Sequence, residues 1–185
     1  MADEAAPETR APGSCPCLPG GSLANDRDLR WSHKPEQGES LPLTGRDEYE
    51  AETFPMLGMA IRVMQPAQPS GTYHWETEQE DFLVLDGEGV LIVEGEERTL
   101  RRWDFVHCPP GAKHGFAGAG ERPFVLLCAS SRQFQKDGPW GFYCADETAA
   151  KCNASSPEDT QDGEIAYGRF SETVESRSRE GTLPD

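Results

Sequence analysis

The stretch Gly71-Thr72-Tyr73-His74-Trp75-Glu76-Thr77-Glu78-Gln79-Glu80-Asp81-Phe82-Leu83-Val84-Leu85-Asp86-Gly87 decides how this chain folds. Its second half carries the β-branched and aromatic run Phe82 to Leu85, closed by the turn-forming Asp86-Gly87-Glu88-Gly89. Its first half sets a histidine two positions before a carboxylate. Side chains at i and i+2 of a strand share a face, so His74 and Glu76 point one way, into a barrel, and Tyr73 and Trp75 the other. Glu80 has the same parity as His74. A shift by one residue would instead turn Tyr73 and Trp75 inward.

Outward from this stretch the same strand signature recurs. Leu57 to Val63, Val90 to Val93 and Phe124 to Leu127 are apolar runs of strand length. They are separated by Pro69-Ser70-Gly71, Glu94-Gly95-Glu96, Cys108-Pro109-Pro110-Gly111 and Gly118-Ala119-Gly120. Short strands with turns between them every 8 to 12 residues or so define an all-β sandwich or barrel. Arg62 is out of phase with its apolar neighbours Ile61 and Val63, so it is the basic residue whose parity allows it to point inward. His107 has the parity of the outer face, and Cys108 and Cys128 read as small buried hydrophobes. Trp75 and Trp140 serve either packing or the shape of a ligand mouth.

Two quoted stretches together resemble the cupin superfamily, in particular small single-domain bacterial cupins with no assigned reaction. His74-Trp75-Glu76 followed by Glu80 and, after six further residues, Gly87 is similar to the first cupin motif. Trp103-Asp104-Phe105-Val106-His107-Cys108-Pro109-Pro110-Gly111-Ala112-Lys113-His114 is similar to the second, and Gly89 to Leu100 looks like the two-stranded connector between them. The chain departs from the pattern twice: Glu76 stands where the family has its second histidine, and Trp103 where it has a glycine. The resemblance implies a cupin-type antiparallel β-barrel, also called a double-stranded β-helix or jelly roll. It also implies that Glu80 and His114 join His74 and Glu76 on one point.

Such a set, His74, Glu76, Glu80 and His114, would hold a divalent metal. Two imidazoles and two carboxylates favour Mn, Fe(II) or Zn over Cu(I). Glu76 and Glu80 are then candidate catalytic bases as well as ligands. The competing assignments are a satisfied core histidine for His74, a solvated carboxylate at the barrel mouth for Glu76, and a turn histidine for His114. Against them stands the cost of burying two carboxylates without a cation or hydrogen-bond donors.

Composition bounds the rest. A chain of 185 residues with 36% hydrophobic residues suits one compact domain. Residues 52–132 are expected to form the barrel and 26–51 an N-terminal extension. Residues 1–25, rich in Pro and Gly, are expected to be a disordered arm, and 133–185 an acidic, mostly extended tail with room for one short helix or for draping over the barrel. The tail has few large apolar side chains, and both ends are expected to be flexible. A formal charge of -16 disfavours nucleic acid and anionic membrane as partners. No apolar run approaches a membrane span and no export signal is visible, so a cytoplasmic location is expected and the six cysteines are read as thiols.

The expected partner is a small-molecule ligand or substrate. The function classes in play are a metal-dependent isomerase, lyase or dioxygenase acting on an oxygenated or carbohydrate-like molecule, and a non-catalytic binding or sensing module. A mainly structural dimer is a third. A homodimer is expected from the resemblance and from the outward aromatics Phe105 and Trp103.

Overall fold

The computed structural model describes residues 26, 29–44, 56–132, 139–177 and 182–183. The expected arm at 1–25 lies outside them. Twelve strands pair antiparallel throughout. They are β1 Trp31–Lys34, β2 Gly38–Pro42, β3 Leu57–Met64, β4 His74–Glu76, β5 Glu80–Asp86 and β6 Glu88–Val93. The rest are β7 Glu96–Arg101, β8 Phe105–Cys108, β9 His114–Ala119, β10 Phe124–Ser131, β11 Gly141–Tyr143 and β12 Val174–Ser176. One sheet has the order β12-β1-β2-β3-β10-β5-β8 and the other β11-β4-β9-β6-β7. Two short helices, α1 Glu147–Lys151 and α2 Gly163–Tyr167, complete the described chain. No helix among the described residues is long and apolar enough to cross a membrane.

The inner face changes character along the strands. On β10, Phe124 and Leu126 are buried in the apolar core, and Cys128 and Ser130 follow them on the same face toward the cavity. On β5 the succession is Val84, Phe82, Glu80, and on β9 it is Phe116, His114. An apolar floor of Met64, Phe82, Val84, Leu91, Leu100, Phe116, Phe124 and Leu126 thus lies beneath a polar upper chamber. The β6–β7 hairpin turns on Glu94 and Gly95, whose φ values of 48° and 78° are the paired left-handed conformations of a two-residue turn.

One kept motif glycine and one departure from the motif have a structural outcome. Gly87 keeps its family position with φ 77°, and a Cβ there would lie 2.1 Å from the Pro123 carbonyl oxygen. Trp103 occupies a glycine-type conformation at φ 74°, tolerable because its side chain is 63% exposed.

The ordered structure extends beyond the expected barrel limits of 52–132. The 26–51 extension contributes β1 and β2 to the larger sheet, and the expected extended tail supplies β11, α1, α2 and β12. From β1 and β2, Trp31 and Leu41 pack outward with Val63 and Val125, while Ser32, Lys34 and Ser40 line the cavity. The C-terminal segment packs with small side chains. Cys144, Ala149 and Ala154 are buried against the outward ring of Tyr73 and against Ile92.

Backbone hydrogen bonds tie this cover down, from Tyr73 N–H to the Ala154 carbonyl (2.6 Å) and from Cys144 N–H to the Tyr73 carbonyl (2.9 Å). Asp146 caps α1, its Oδ1 accepting from the N–H groups of Thr148 and Ala149 at 2.8 Å each. A count of large apolar residues misses such a segment, because alanine buries completely against a large partner supplied by another strand. Ala154→Asp should therefore lower stability by roughly 3 kcal/mol in urea unfolding, through a charge forced into a site with no room for it. An unchanged midpoint would show that the segment is a dispensable cover.

Candidate metal centre

β4 and β9 bring the two histidines together through register alone: His74 lies directly opposite His114, with ring centroids 4.9 Å apart. β5, in the other sheet, carries Glu80 across the barrel to meet them. His114 Nε2 is 3.0 Å from Glu80 Oε2, and His74 Nε2 is 3.8 Å from the same oxygen. The turn before β9 is pinned by the N–H of Gly111, which donates to the Glu76 carbonyl at 2.8 Å.

The two imidazoles are oriented by one device. His74 Nδ1 is 2.6 Å from the carbonyl oxygen of Thr72, and His114 Nδ1 is 3.0 Å from that of Ala112. A carbonyl only accepts, so each Nδ1 carries the proton and each Nε2 is aimed at Glu80. This outer hydrogen bond is the one that fixes a metal-ligating histidine. Glu80 Oε2 and His114 Nε2 are buried and have no hydrogen-bond partner among the described residues. Their 3.0 Å approach is thus an electrostatic contact, not an aligned hydrogen bond. One ligand atom from each of His74, Glu80 and His114 falls within 4.8 Å of the others, a grouping that could hold a metal ion.

Of the four residues expected from sequence, the structure therefore brings three together. Glu76 stands beside them: its Oε1 is 3.5 Å from His74 Nε2, and it lines the same cavity without joining the three-residue group. His107 is on the outer face, where its Nδ1 meets Asp81 Oδ1 at 2.6 Å. Cys108 is buried in the core. Burial pushes the Cys128 thiol up to about 12, out of reach of thiolate chemistry at neutral pH.

The cavity above the centre has a volume of about 440 Å3. Arg62 lines it, as its parity implied. Trp140, Tyr143 and Tyr167, all from the C-terminal segment, form an aromatic wall beside His74; Trp140 and Tyr143 lie 5.8 and 6.2 Å from its ring. Trp75 instead stacks on Phe142 at 6.3 Å, on the other face of β4. The wall formed by Tyr143 and Tyr167 leaves no local signal in the chain, because it depends on the placement of a segment with no strand pattern of its own.

Burial opposes the charge on His114, but contacts with the Cys108 thiol and the Glu80 carboxylate push its pKa up to about 10. Burial likewise opposes ionisation of Glu80, yet the His114 contact and the positive charges of His114, His74 and Arg62 leave it below the usual carboxylate value.

Comparison with known proteins agrees with the fold. Residues 60–130 match the family model described as Cupin domain. An uncharacterized protein of Aquifex aeolicus is 34% identical over 65 residues, covering 35% of this chain and 54% of that protein. One of Methanocaldococcus jannaschii is 28% identical over 54 residues, covering 29% and 43%. The chain spans about half the length of the curated relatives it matches. A cupin 2 domain-containing protein of Halorhodospira halophila shares the fold, with a TM-score of 0.50 at 19% identity over 65% of this chain and 79% of its own. The chain carries a small cupin-type domain.

The ionised His114–Glu80 pair has a pH signature in protein treated with chelator. A histidine with a raised folded pKa stabilises fully below its unfolded value near 6.5, and that contribution disappears as pH rises through about 10. The lowered pKa of Glu80 contributes above the unfolded value of 4.5 and is lost as pH falls through the folded one. The stability difference between the parent and His114→Gln, read by urea unfolding, should be largest in the mildly acidic window between these limits and shrink toward alkaline pH. A difference independent of pH would contradict the ionised pair.

Proposed function

We propose that the barrel is a metal-dependent site for a small oxygen-bearing molecule, with His74, Glu80 and His114 as the protein ligands. The reading is carried by the convergence of two imidazole Nε2 atoms, both with Nδ1 pinned, on a buried carboxylate oxygen. Two histidines and one carboxylate suit Fe(II), and the same donors serve Zn and, with oxygen ligands added, Mn. A metal held there would supply Lewis acidity toward a ligand oxygen.

The chain's own residues do the rest. Glu76, outside the three-residue group, is the base that accepts a proton from the bound molecule, while Glu80 is committed to the two histidines. Trp140 and Tyr143 screen the site from water. Reactions of this kind are isomerisation, lysis or dioxygenation. The same cavity without a productive Glu76 would be a binding or sensing module, and Glu76→Gln separates the two by abolishing turnover while leaving ligand capture intact.

Protein purified without added metal should contain about one divalent ion per chain, and His74→Ala or His114→Ala should abolish it. At a metal concentration 100-fold above Kd, stabilisation should reach about 2.7 kcal/mol. Metal-free protein whose melting ignores Mn, Fe(II), Ni and Zn would falsify the proposal.

The proposal includes a homodimer and a cytoplasmic location. Phe105 is 64% exposed on β8, an edge strand of the larger sheet, next to the exposed Trp103. An apolar edge of this kind is covered by an isologous contact with a second copy. Cys108, Cys128, Cys144 and Cys152 are free thiols, which suits a reducing compartment. Light scattering should give a mass near twice 20.4 kDa, lost on Phe105→Glu; a mass near 20.4 kDa for the parent would reject the dimer.

A further inference from the structure

The charges lining the cavity run against the chain as a whole. In a protein of formal charge -16, Lys34, Arg62 and Arg132 all face this one chamber, against the carboxylates of Glu76 and Glu80. Two of the three cations are engaged. Lys34 lies 4.6 Å above the Tyr167 ring, and Arg132 donates to the Thr44 hydroxyl at 3.4 Å.

Arg62 differs. It comes from the middle of β3, where Ala60 and Arg62 line the chamber and Met64, next on the same face, enters the apolar floor. Its charge reaches both Glu80 and Cys128. Among the described residues its guanidinium forms neither an ion pair nor a hydrogen bond. A half-buried guanidinium presents five donors in a planar fork, and in a cavity this arrangement fits a planar, bidentate acceptor. The same chamber is lined by Trp140 and Tyr143, flat apolar surfaces suited to a short carbon frame.

We propose that the cavity takes a small organic carboxylate, held bidentately by Arg62 while a neighbouring oxygen faces the His74–Glu80–His114 centre. This rests on the metal-site reading above and names its ligand class. A carboxylate is favoured over a phosphate ester because Glu76 and Glu80 share the chamber, and their repulsion grows with the charge of the guest. One guanidinium matches one carboxylate in geometry and charge.

The experiment uses the full chain loaded with metal and titrated calorimetrically with acetate, lactate and malonate. Lactamide serves as the uncharged counterpart and methyl phosphate as the competing anion. At least one carboxylate should bind at millimolar concentration or tighter, and lactamide should be weaker than lactate by roughly tenfold or more. Arg62→Gln should weaken carboxylate binding by a similar factor while leaving metal stoichiometry unchanged, and Arg62→Lys, which keeps the charge but not the fork, should recover part of the loss.

Equal binding of lactate and lactamide overturns the inference, as does no binding of any carboxylate, tighter binding of methyl phosphate, or carboxylate affinity unaltered in both Arg62 variants. Each of these results, obtained with metal uptake normal, leaves the metal centre standing. Failure to take up metal overturns both.

Discussion

Much of the site depends on how a very short strand is held. β4 is three residues long, and its pairing with β9 consists of one residue pair, His74 opposite His114. On its other side β11 pairs with all three residues, and the Thr77 N–H just beyond β4 donates to the Trp140 carbonyl at 2.8 Å. Behind it the ring of Tyr73 is packed by Cys144, Ala149 and Ala154. The position of one candidate metal ligand is therefore set by a part of the chain more than sixty residues downstream. Rigid support of this kind is what a coordinating histidine requires, since a small displacement of the ring removes it from the set.

The gradient along the strands complements this support. The apolar floor beneath the centre excludes water from one side, so charges above it act through a medium of low polarisability and are felt more strongly than at the surface. That setting explains why Glu80 stays ionised despite its burial: the positive charge gathered around it outweighs the loss of solvent. The same setting makes an unshared polar atom costly, and two of them face each other at the centre.

Legibility in the sequence followed the physics of each element. His74, Glu80 and His114 could be placed because motif spacing and strand alternation act over a few residues, and Arg62 stood out by its parity within an apolar strand. The standing of Glu76 beside the centre could not be read, because parity fixes a face but not the reach of a side chain. β1 and β2 were hidden for a different reason. Their inner faces line a polar chamber, so the alternation that reveals a half-buried strand is replaced by serine and lysine. The placement of β11 and α1 was hidden because burial beside them is done by Cys144, Ala149 and Ala154 against Tyr73, a complementarity between distant segments that no local pattern contains.

The pairing of β1 with β12, Trp31 opposite Ser176, joins strands separated by nearly the whole described chain. Contacts of such sequence separation carry a larger loop-closure entropy than hairpin contacts do. Lys34 on β1 and Tyr167 ahead of β12 meet at the cavity, so this long-range seam is also part of the chamber's wall. The chamber's wall is thus also a clasp, complete on this side only when the two ends of the described chain are paired.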